Sequence, residues 1–140
     1  MNAKKRANSK RGKKARAAGA RFELKVRTDL KAQGWIVTKW MNNIDFENDK
    51  LIPAKRKYNP FLRALSIGTG FPDFIAFKKR GKKSFEIIGI EVKRNGWLDK
   101  EEKAKCKWLL EKEIFLKILI AKGKKQGRSL NVEYVDFEGE

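Results

Sequence analysis

Histidine is absent from this chain of 140 residues, cysteine occurs once, and proline occurs three times. Without histidine, a catalytic triad or an acid–base pair built on imidazole is excluded, and a single cysteine, Cys106, forms neither an internal disulfide nor a zinc-thiolate cluster. No apolar run approaches the length of a membrane span, and no signal-peptide pattern is present. We therefore expect a soluble cytoplasmic protein whose chemistry depends on carboxylates, lysine and hydroxyl groups.

Positive charge dominates what the chain does contain. Lys and Arg number 35 against 17 Asp and Glu, which gives a formal net charge of +18. So large an excess suits a polyanionic partner, and nucleic acid is the predicted class, with no membrane partner. Hydrophobic residues make up 41% of the chain, which is enough for one domain with its own core.

The chain divides into a basic arm and one folded domain. Residues 1–14 hold almost no large apolar side chains, so we predict a flexible basic N-terminal arm. Such an arm either binds phosphates nonspecifically or is a solvated tail. Residues 15–140 are predicted to fold, with an insertion at about 41–70 where periodicity is lost and a short helix at about 60–65 is the one candidate element.

Periodicity and turn residues predict the element order α, β, β, β, α, β, β, which is an α/β fold. The first helix covers about 15–33, with apolar side chains at every fourth residue. The second helix has Asp99 as its N-cap and runs to about residue 112. The second and third strands form a hairpin. The predicted strands cover residues 35–40, 74–79, 85–94, 114–121 and 132–137.

Two short motifs carry the candidate chemistry. Pro72-Asp73 stands at the start of the second predicted strand, and Glu91-Val92-Lys93 lies in the third. The period of two puts Glu91 and Lys93 on the same strand face. Two carboxylates and a main-chain carbonyl satisfy the preference of Mg²⁺ for oxygen ligands, and Lys93 would then orient or deprotonate the nucleophile or contact the phosphate.

Two neighbouring residues extend this hypothesis, and each part of it has a simpler alternative. Gly89 lies on the same face as Glu91 and would leave room for a cation and a phosphate. Glu23, at the edge of the apolar stripe of the first helix, is either a third metal ligand or a solvated glutamate. The motifs themselves would also arise by chance in a lysine-rich chain, with Glu91 and Lys93 as an ordinary ion pair.

In the order and spacing of these motifs, residues 15–122 resemble the PD-(D/E)xK nuclease superfamily. Archaeal Holliday junction resolvases are similar in Gly19 and Glu23, in the glycine-rich approach to Pro72-Asp73, and in 90–93. Virus-type replication-repair nuclease domains are similar in 70–73, in 91–93, and in 95–99 before a helix with Trp108. The helix glutamine of the latter group is replaced here by Glu101 or Glu102.

The resemblance implies a restriction-endonuclease-like core of order α-β-β-β-α-β, in which helices flank a mixed central sheet. It also implies a Mg²⁺ cofactor, with Mn²⁺ as a substitute. The implied catalytic residues are Asp73, Glu91 and Lys93, and the implied metal ligands are Asp73, Glu91, Val92 and Glu23.

Basic and aromatic residues alternate in the insertion, just before the first motif, and we predict nucleic-acid contacts there. The plain alternative is a packed loop with solvated lysines. Trp97 and Trp108 are expected in the core, and Cys106 is expected to be an inert, partly buried residue. The predicted nucleic-acid contacts are Lys55, Arg56, Lys57, Tyr58, Arg63, Thr69 and Arg94.

These patterns together predict a metal-dependent endonuclease that cuts DNA and is selective for branched or Holliday junction DNA, as in repair and recombination. A homodimer would suit a symmetric junction. The competing interpretation is a noncatalytic, basic nucleic-acid-binding protein, in which the charge accounts for the binding and the motifs are fortuitous.

Overall fold

Two helices and nine strands follow one another over the residues that the computed structural model describes, which are 3–54, 56–59, 64–67 and 70–138. Together they form a mixed α/β domain. In chain order the elements are α1 (Ala3–Ala32), β1 (Ile36–Lys39), β2 (Asn42–Asp45), β3 (Lys50–Pro53), β4 (Arg56–Asn59), β5 (Ala64–Ile67), β6 (Phe74–Gly81), β7 (Ser84–Val92), α2 (Lys100–Glu111), β8 (Ile118–Gln126) and β9 (Ser129–Asp136).

A mixed five-stranded sheet forms the centre of the domain, with the strand order β1-β6-β7-β8-β9. β7 and β8 are parallel, and every other neighbouring pair in this sheet is antiparallel. The predicted hairpin is confirmed, since β6 and β7 pair directly through a tight turn. The parallel step is made by α2, because parallel neighbours need a crossover connection.

The two helices cover opposite faces of the sheet. α1 buries Phe22, Val26 and Leu30 against one face, which confirms the predicted apolar stripe. α2 buries Cys106 and Leu109 against the other face. The alternation of side chains along a strand explains this division: in β8, Leu119 and Ala121 face α1, whereas Ile118 and Ile120 face α2.

α1 begins much earlier than its apolar stripe predicts. The helix includes residues 3–14, where the sequence pattern predicts an arm without regular structure. Alanine, lysine and arginine are strong helix formers and no proline interrupts them, so the helix continues outward from the packed part at 18–32. α1 is long but highly charged, and within the described residues no helix is both long and apolar enough to cross a membrane.

The predicted insertion contains two β-hairpins, β2–β3 and β4–β5. Asp49, in the first of these turns, accepts hydrogen bonds from Trp108 Nε1 at 2.7 Å and Lys112 Nζ at 2.6 Å, which ties this hairpin to α2. The short helix expected at 60–65 is wrong for its last two residues, which belong to β5. Residues 60–63 lie outside the described part of the chain.

Gly70 fixes the approach to the first motif, because the backbone of the preceding strands leaves no room for a side chain. A Cβ atom there would lie 2.1 Å from the carbonyl oxygen of Trp40 and 2.8 Å from that of Asn42. The same stretch is held by hydrogen bonds from Phe71 N to Asn42 O, at 2.8 Å, and from Trp40 N to Asp73 O, at 3.1 Å. Gly70 therefore sets the position of Asp73.

Replacing Gly70 tests this arrangement. Gly70→Ala is expected to destabilise the protein by about 1 to 3 kcal/mol, because the added methyl group overlaps backbone atoms that a rotamer change does not move. The matched control is Gly19→Ala, at a helical position where an added Cβ atom would have no neighbour within 4 Å, and there a stabilisation of about 0.5 to 1 kcal/mol is expected. Urea unfolding measures both, and equal effects at the two positions would contradict the assigned role of Gly70.

Candidate active site

Asp73 and Glu91 come together at the point where β6 begins. Phe74 pairs with Ile90 across β6 and β7, so the preceding Asp73 lies beside Glu91 on the opposite face of the sheet. The backbone N–H of Val92 donates to Asp73 Oδ2 at 2.8 Å, and the two carboxyl groups lie within hydrogen-bonding reach of each other. The two sequence motifs thus form one site.

Gly89 has a different role from the one predicted. Pro72 and Phe115 already occupy the strand face beside Gly89, because a Cβ atom there would lie 3.0 Å from Pro72 Cγ and 3.3 Å from Phe115 Cδ2. The absence of a side chain at Gly89 lets Pro72 pack directly on β7, and this packing brings the adjacent Asp73 to Glu91. The expectation of open space for a cation beside Gly89 is wrong.

Glu91 is the charged side chain that the fold buries, with 3% of its surface exposed, and no other described charged or polar residue is as buried. Its Oε1 atom has no hydrogen-bond partner in the described protein. Burial, followed by the charge of Asp73 and the hydrogen bond with it, raises the pKa of Glu91 to about 10. The charged form of this carboxyl therefore lacks a partner at Oε1, which a cation would supply.

Lys93 lies between two carboxylates. Its Nζ atom is 3.9 Å from Glu91 Oε2 and forms a direct ion pair with Glu102 Oε2. Burial lowers the pKa of Lys93, but the hydrogen bond with Glu102 and the charges of Glu91 and Glu102 raise it, and the net change is upward. The amine is thus held in its charged form at the edge of the site.

The sequence pattern leaves the choice between Glu101 and Glu102 open, and the structure places Glu102 at the site. Asp99 and Glu102 form a capping box, with Glu102 N donating to Asp99 Oδ1 at 2.8 Å and Asp99 N donating to Glu102 Oε1 at 3.1 Å. The second oxygen of Glu102 remains for Lys93. Glu101 is turned to solvent and pairs with Lys105. The three-residue spacing from Asp99 was the available sequence signal.

Cys106, one turn after Glu102 on α2, faces the same site. Burial, followed by the charges of Glu91 and Glu102, raises the pKa of the thiol to about 12. A thiol with so high a pKa stays protonated and unreactive. The expected partial burial of Cys106 is wrong, because its side chain is completely buried. Its inertness stays a prediction, which the raised pKa supports.

Glu23 does not join the two central carboxylates. Its Oε1 atom is 2.9 Å from Lys39 Nζ, on the edge strand β1. It lines a shallow cavity with Arg27 and Phe74, on the α1 side of the sheet. Over the described ranges, no group of three or more Asp, Glu or Cys residues is arranged to hold a metal ion. Glu23, the predicted third metal ligand, thus forms an ion pair with Lys39 instead.

Among the predicted nucleic-acid contacts, Arg94 has a described side chain. It lines a small cavity with Arg21 and Lys25 of α1, which places a basic residue next to Lys93 in line with the basic helix. Arg56, Lys57 and Tyr58 lie in strand β4. The predicted contacts at Lys55, Arg63 and Thr69 lie outside the described residues.

Trp97 and Trp108 differ from each other and from the prediction of two core residues. Trp97 is 76% exposed, so its assignment to the core is wrong. Trp108 is half-buried and packs against the α2-side core, with its indole N–H bonded to Asp49. A tryptophan ring is largely apolar wherever it stands in the sequence, but the fold decides whether other residues bury it.

The donor set fits a hard divalent cation. Asp73 and Glu91 offer carboxylate oxygens from adjacent strands, and Glu91 Oε1 is buried without a partner. The carbonyl of Val92 is expected on the same side of β7 as its N–H, which reaches Asp73. Oxygen donors of this kind, completed by water and substrate, suit Mg²⁺ or Mn²⁺.

Replacing the titratable carboxyl of Glu91 by an amide is expected to stabilise the cation-free protein. Because its folded pKa lies far above the unfolded value of 4.5, the folded state binds more protons between these pH values and loses stability as pH rises. Glu91→Gln should therefore raise the unfolding free energy by about 1 to 3 kcal/mol at pH 7, and by less at pH 5. Thermal unfolding in EDTA measures this.

The same experiment with added Mg²⁺ tests the donor set. Wild-type protein should gain stability with rising Mg²⁺, because a ligand that binds the folded state stabilises it, and Glu91→Gln should not. Glu101→Gln is the control, since this side chain is 72% exposed and its loss should change stability by less than about 0.5 kcal/mol. A destabilised Glu91→Gln protein would contradict the description of this carboxyl.

Comparison with known proteins assigns no family to this chain. No protein-family model, no curated protein and no solved structure matches the chain. The chemistry of the site is therefore argued from Asp73, Glu91, Lys93 and their surroundings.

Proposed function

We propose that this protein is a divalent-metal-dependent endonuclease that hydrolyses DNA phosphodiester bonds, with branched or Holliday junction DNA as its preferred substrate. One observation carries the proposal: Asp73 and a buried, incompletely paired Glu91 adjoin each other, with the ammonium group of Lys93 at 3.9 Å from Glu91. Two acids and a lysine at one point of a basic protein suit a phosphate substrate that approaches with a cation.

Asp73 and Glu91, with the main-chain oxygen of Val92, would hold the cation. A bound divalent ion lowers the pKa of a coordinated water and stabilises charge on a transferring phosphate. The residues themselves fix the geometry: Val92 N–H orients the Asp73 carboxylate, and burial keeps water away from Glu91. Glu23 has no place in this donor set, because it is bound to Lys39.

Lys93 contacts the phosphate in this proposal and does not act as a base. Its contacts with Glu91 and Glu102 favour the ammonium form, which donates hydrogen bonds to a phosphate oxygen or to the attacking water. Glu102 belongs to the capping box of α2, so the helix fixes the position of the amine. A phosphate that enters the site would take over one of its hydrogen bonds.

The basic helix supplies the surface for DNA. Nine Lys and Arg residues precede the first acid in the chain, and the side chains of residues 3–11 and 13–17 of α1 are exposed. Consecutive residues lie about 100° apart on a helix, so these cations point in all directions and leave no apolar face for a lipid surface. At 1.5 Å per residue this part of α1 is about 22 Å long.

Element order supports the same proposal. With the two small hairpins set aside, the chain runs α1, β1, β6, β7, α2, β8, and this sequence of elements follows the core order of the PD-(D/E)xK nucleases that the motifs resemble. The restriction-endonuclease-like fold is therefore part of the proposal. So is a homodimer, for which β9, at the edge of the five-stranded sheet, offers a surface.

Cleavage assays with single substitutions test the proposal. Asp73→Asn keeps an acceptor for Val92 N–H but removes a charged ligand, so cleavage of a four-way junction with Mg²⁺ should fall by about a hundredfold or more. Binding measured in EDTA should stay equal or become tighter, since a negative charge beside the phosphate is lost. Glu111→Gln, at the exposed end of α2, is the control and should cut at the wild-type rate.

The outcome also separates the two candidate functions. If the wild-type protein cuts no four-way junction, flap, duplex, single strand or RNA with Mg²⁺ or Mn²⁺, the endonuclease proposal is wrong. The noncatalytic nucleic-acid-binding function would then stand, because the net charge of +18 supports binding by itself. Equal cleavage by wild-type and Asp73→Asn protein would indicate a contaminating nuclease.

The role of the basic helix predicts a change in salt dependence. Replacing Lys10, Lys13 and Lys14 by Gln should weaken binding to all duplexes alike and reduce the slope of log binding constant against log salt concentration by about 1 to 3. The matched control replaces Lys79, Lys82 and Lys83, at the far end of the β6–β7 hairpin, by Gln. Equal changes in both triple variants would show that α1 has no special part in binding.

A further inference from the structure

A cleft of about 540 Å³ opens beside the candidate active site and has no part in the proposed hydrolysis. Its walls come from the turn after β7, from α2, from β8 and from the edge strand β9 with the residues that follow it. The residues that line it include Trp97, Lys103, Ile120, Lys122, Val135 and Glu138. A cleft of this size is large enough for a small organic ring system.

Trp97 lines this cleft from a turn whose backbone is held by hydrogen bonds. Its side chain is 76% exposed, although tryptophan has the largest apolar surface of any side chain. The turn that carries it is fixed, because Gly96 N donates to Lys93 O at 2.7 Å and Trp97 N donates to Asn95 Oδ1 at 3.0 Å. Gly96 has a φ of +78°, which glycine adopts without strain.

The cleft lies directly beside Glu91. Ile120 pairs with Glu91 across β7 and β8, and Val135 pairs with Ile120 across β8 and β9. These three residues thus form a row across the sheet, with adjacent strands about 5 Å apart. Trp97 also follows Lys93 by four residues, so a molecule in the cleft would lie next to the end of the strand that carries Glu91 and Lys93.

The charges around the cleft suit a nucleotide. Lys103, on the first turn of α2, and Lys122, on β8, line the cleft, and Lys122 Nζ is 3.9 Å from Glu133 Oε2. Asp136 and Glu138 also line the cleft, and Asp136 is paired with Lys117. The cations suit a phosphate, and a carboxylate accepts hydrogen bonds from the exocyclic amino group of a base.

We propose that this cleft binds an unpaired nucleotide next to the cleaved bond, with its base stacked on Trp97 and its phosphate held by Lys103 and Lys122. The stacking rests on the exposed ring and is independent of catalysis. The position relative to the cleaved bond rests on the proposed endonuclease function. A site of this kind favours DNA with unpaired nucleotides, as at a branch point or a flap, over fully paired duplex.

Binding assays in EDTA test the site without cleavage. The probes are a duplex with a single-stranded tail, the same duplex with a tail of abasic sites, and a blunt duplex with the same number of phosphates. Trp97→Ala should weaken binding to the tailed duplex by about 5- to 100-fold, which is the range for loss of stacking of one base. It should leave binding to the abasic and blunt probes unchanged, because these probes offer only phosphates.

Substitutions that keep or remove the ring make the test specific. Trp97→Phe should retain most of the affinity for the tailed duplex, and Phe85→Ala, which removes an exposed aromatic ring elsewhere on the sheet, should have no effect. Lys103→Gln should weaken binding to the two tailed probes, with or without bases, more than Lys125→Gln does. Unchanged affinity in Trp97→Ala, or an equal loss with all three probes, would overturn the proposal.

The result is separable from the proposed function. If the wild-type protein cuts no substrate but Trp97→Ala still loses affinity for the tailed duplex alone, the nucleotide site stands and the endonuclease proposal falls. If the protein cuts DNA but Trp97→Ala binds all probes like the wild type, the endonuclease proposal stands and the nucleotide site falls.

Discussion

The close approach of Asp73 and Glu91 is the interaction on which the arrangement of the surrounding residues depends. Two carboxyl groups side by side, one of them buried, oppose folding through desolvation and repulsion. The fold imposes this arrangement by packing Pro72 on Gly89 and by fixing Gly70 against Trp40. Structures retain such costly local arrangements where function requires them, and a divalent cation would convert the repulsion into ligation.

The same interaction explains why α2 lies where it does. Lys93 follows Glu91 on the same strand face, and Glu102 of α2 binds it while completing the cap of its own helix. A lysine between two carboxylates has a defined position and charge. The protein as a whole has the opposite charge, since the acids of the site lie in a chain of net charge +18. A polyanion would therefore be attracted to the surface and would meet these carboxylates only at the candidate active site.

Local patterns predicted those parts of the fold that local interactions stabilise. The stripe of Phe22, Val26 and Leu30, the β6–β7 hairpin and the capped start of α2 are all confirmed, because helix periodicity, turn residues and caps act within a few residues. The N-terminal helix was missed because residues 3–14 have helix-forming residues but no apolar stripe. The two hairpins at 41–70 were missed because short strands lack a pattern of sufficient length.

By itself the sequence determined the acids and the lysine of the candidate site, the large excess of positive charge, and the absence of imidazole chemistry, since these follow from residue type and order. Only the tertiary structure decided which further acids lie beside Asp73 and Glu91. It selected Glu102 over Glu101 and paired Glu23 with Lys39. It also exposed Trp97, which the sequence placed in the core. The physical reason is that burial and ion pairing depend on neighbours from distant segments, and these neighbours are fixed by strand register and by helix docking on the sheet.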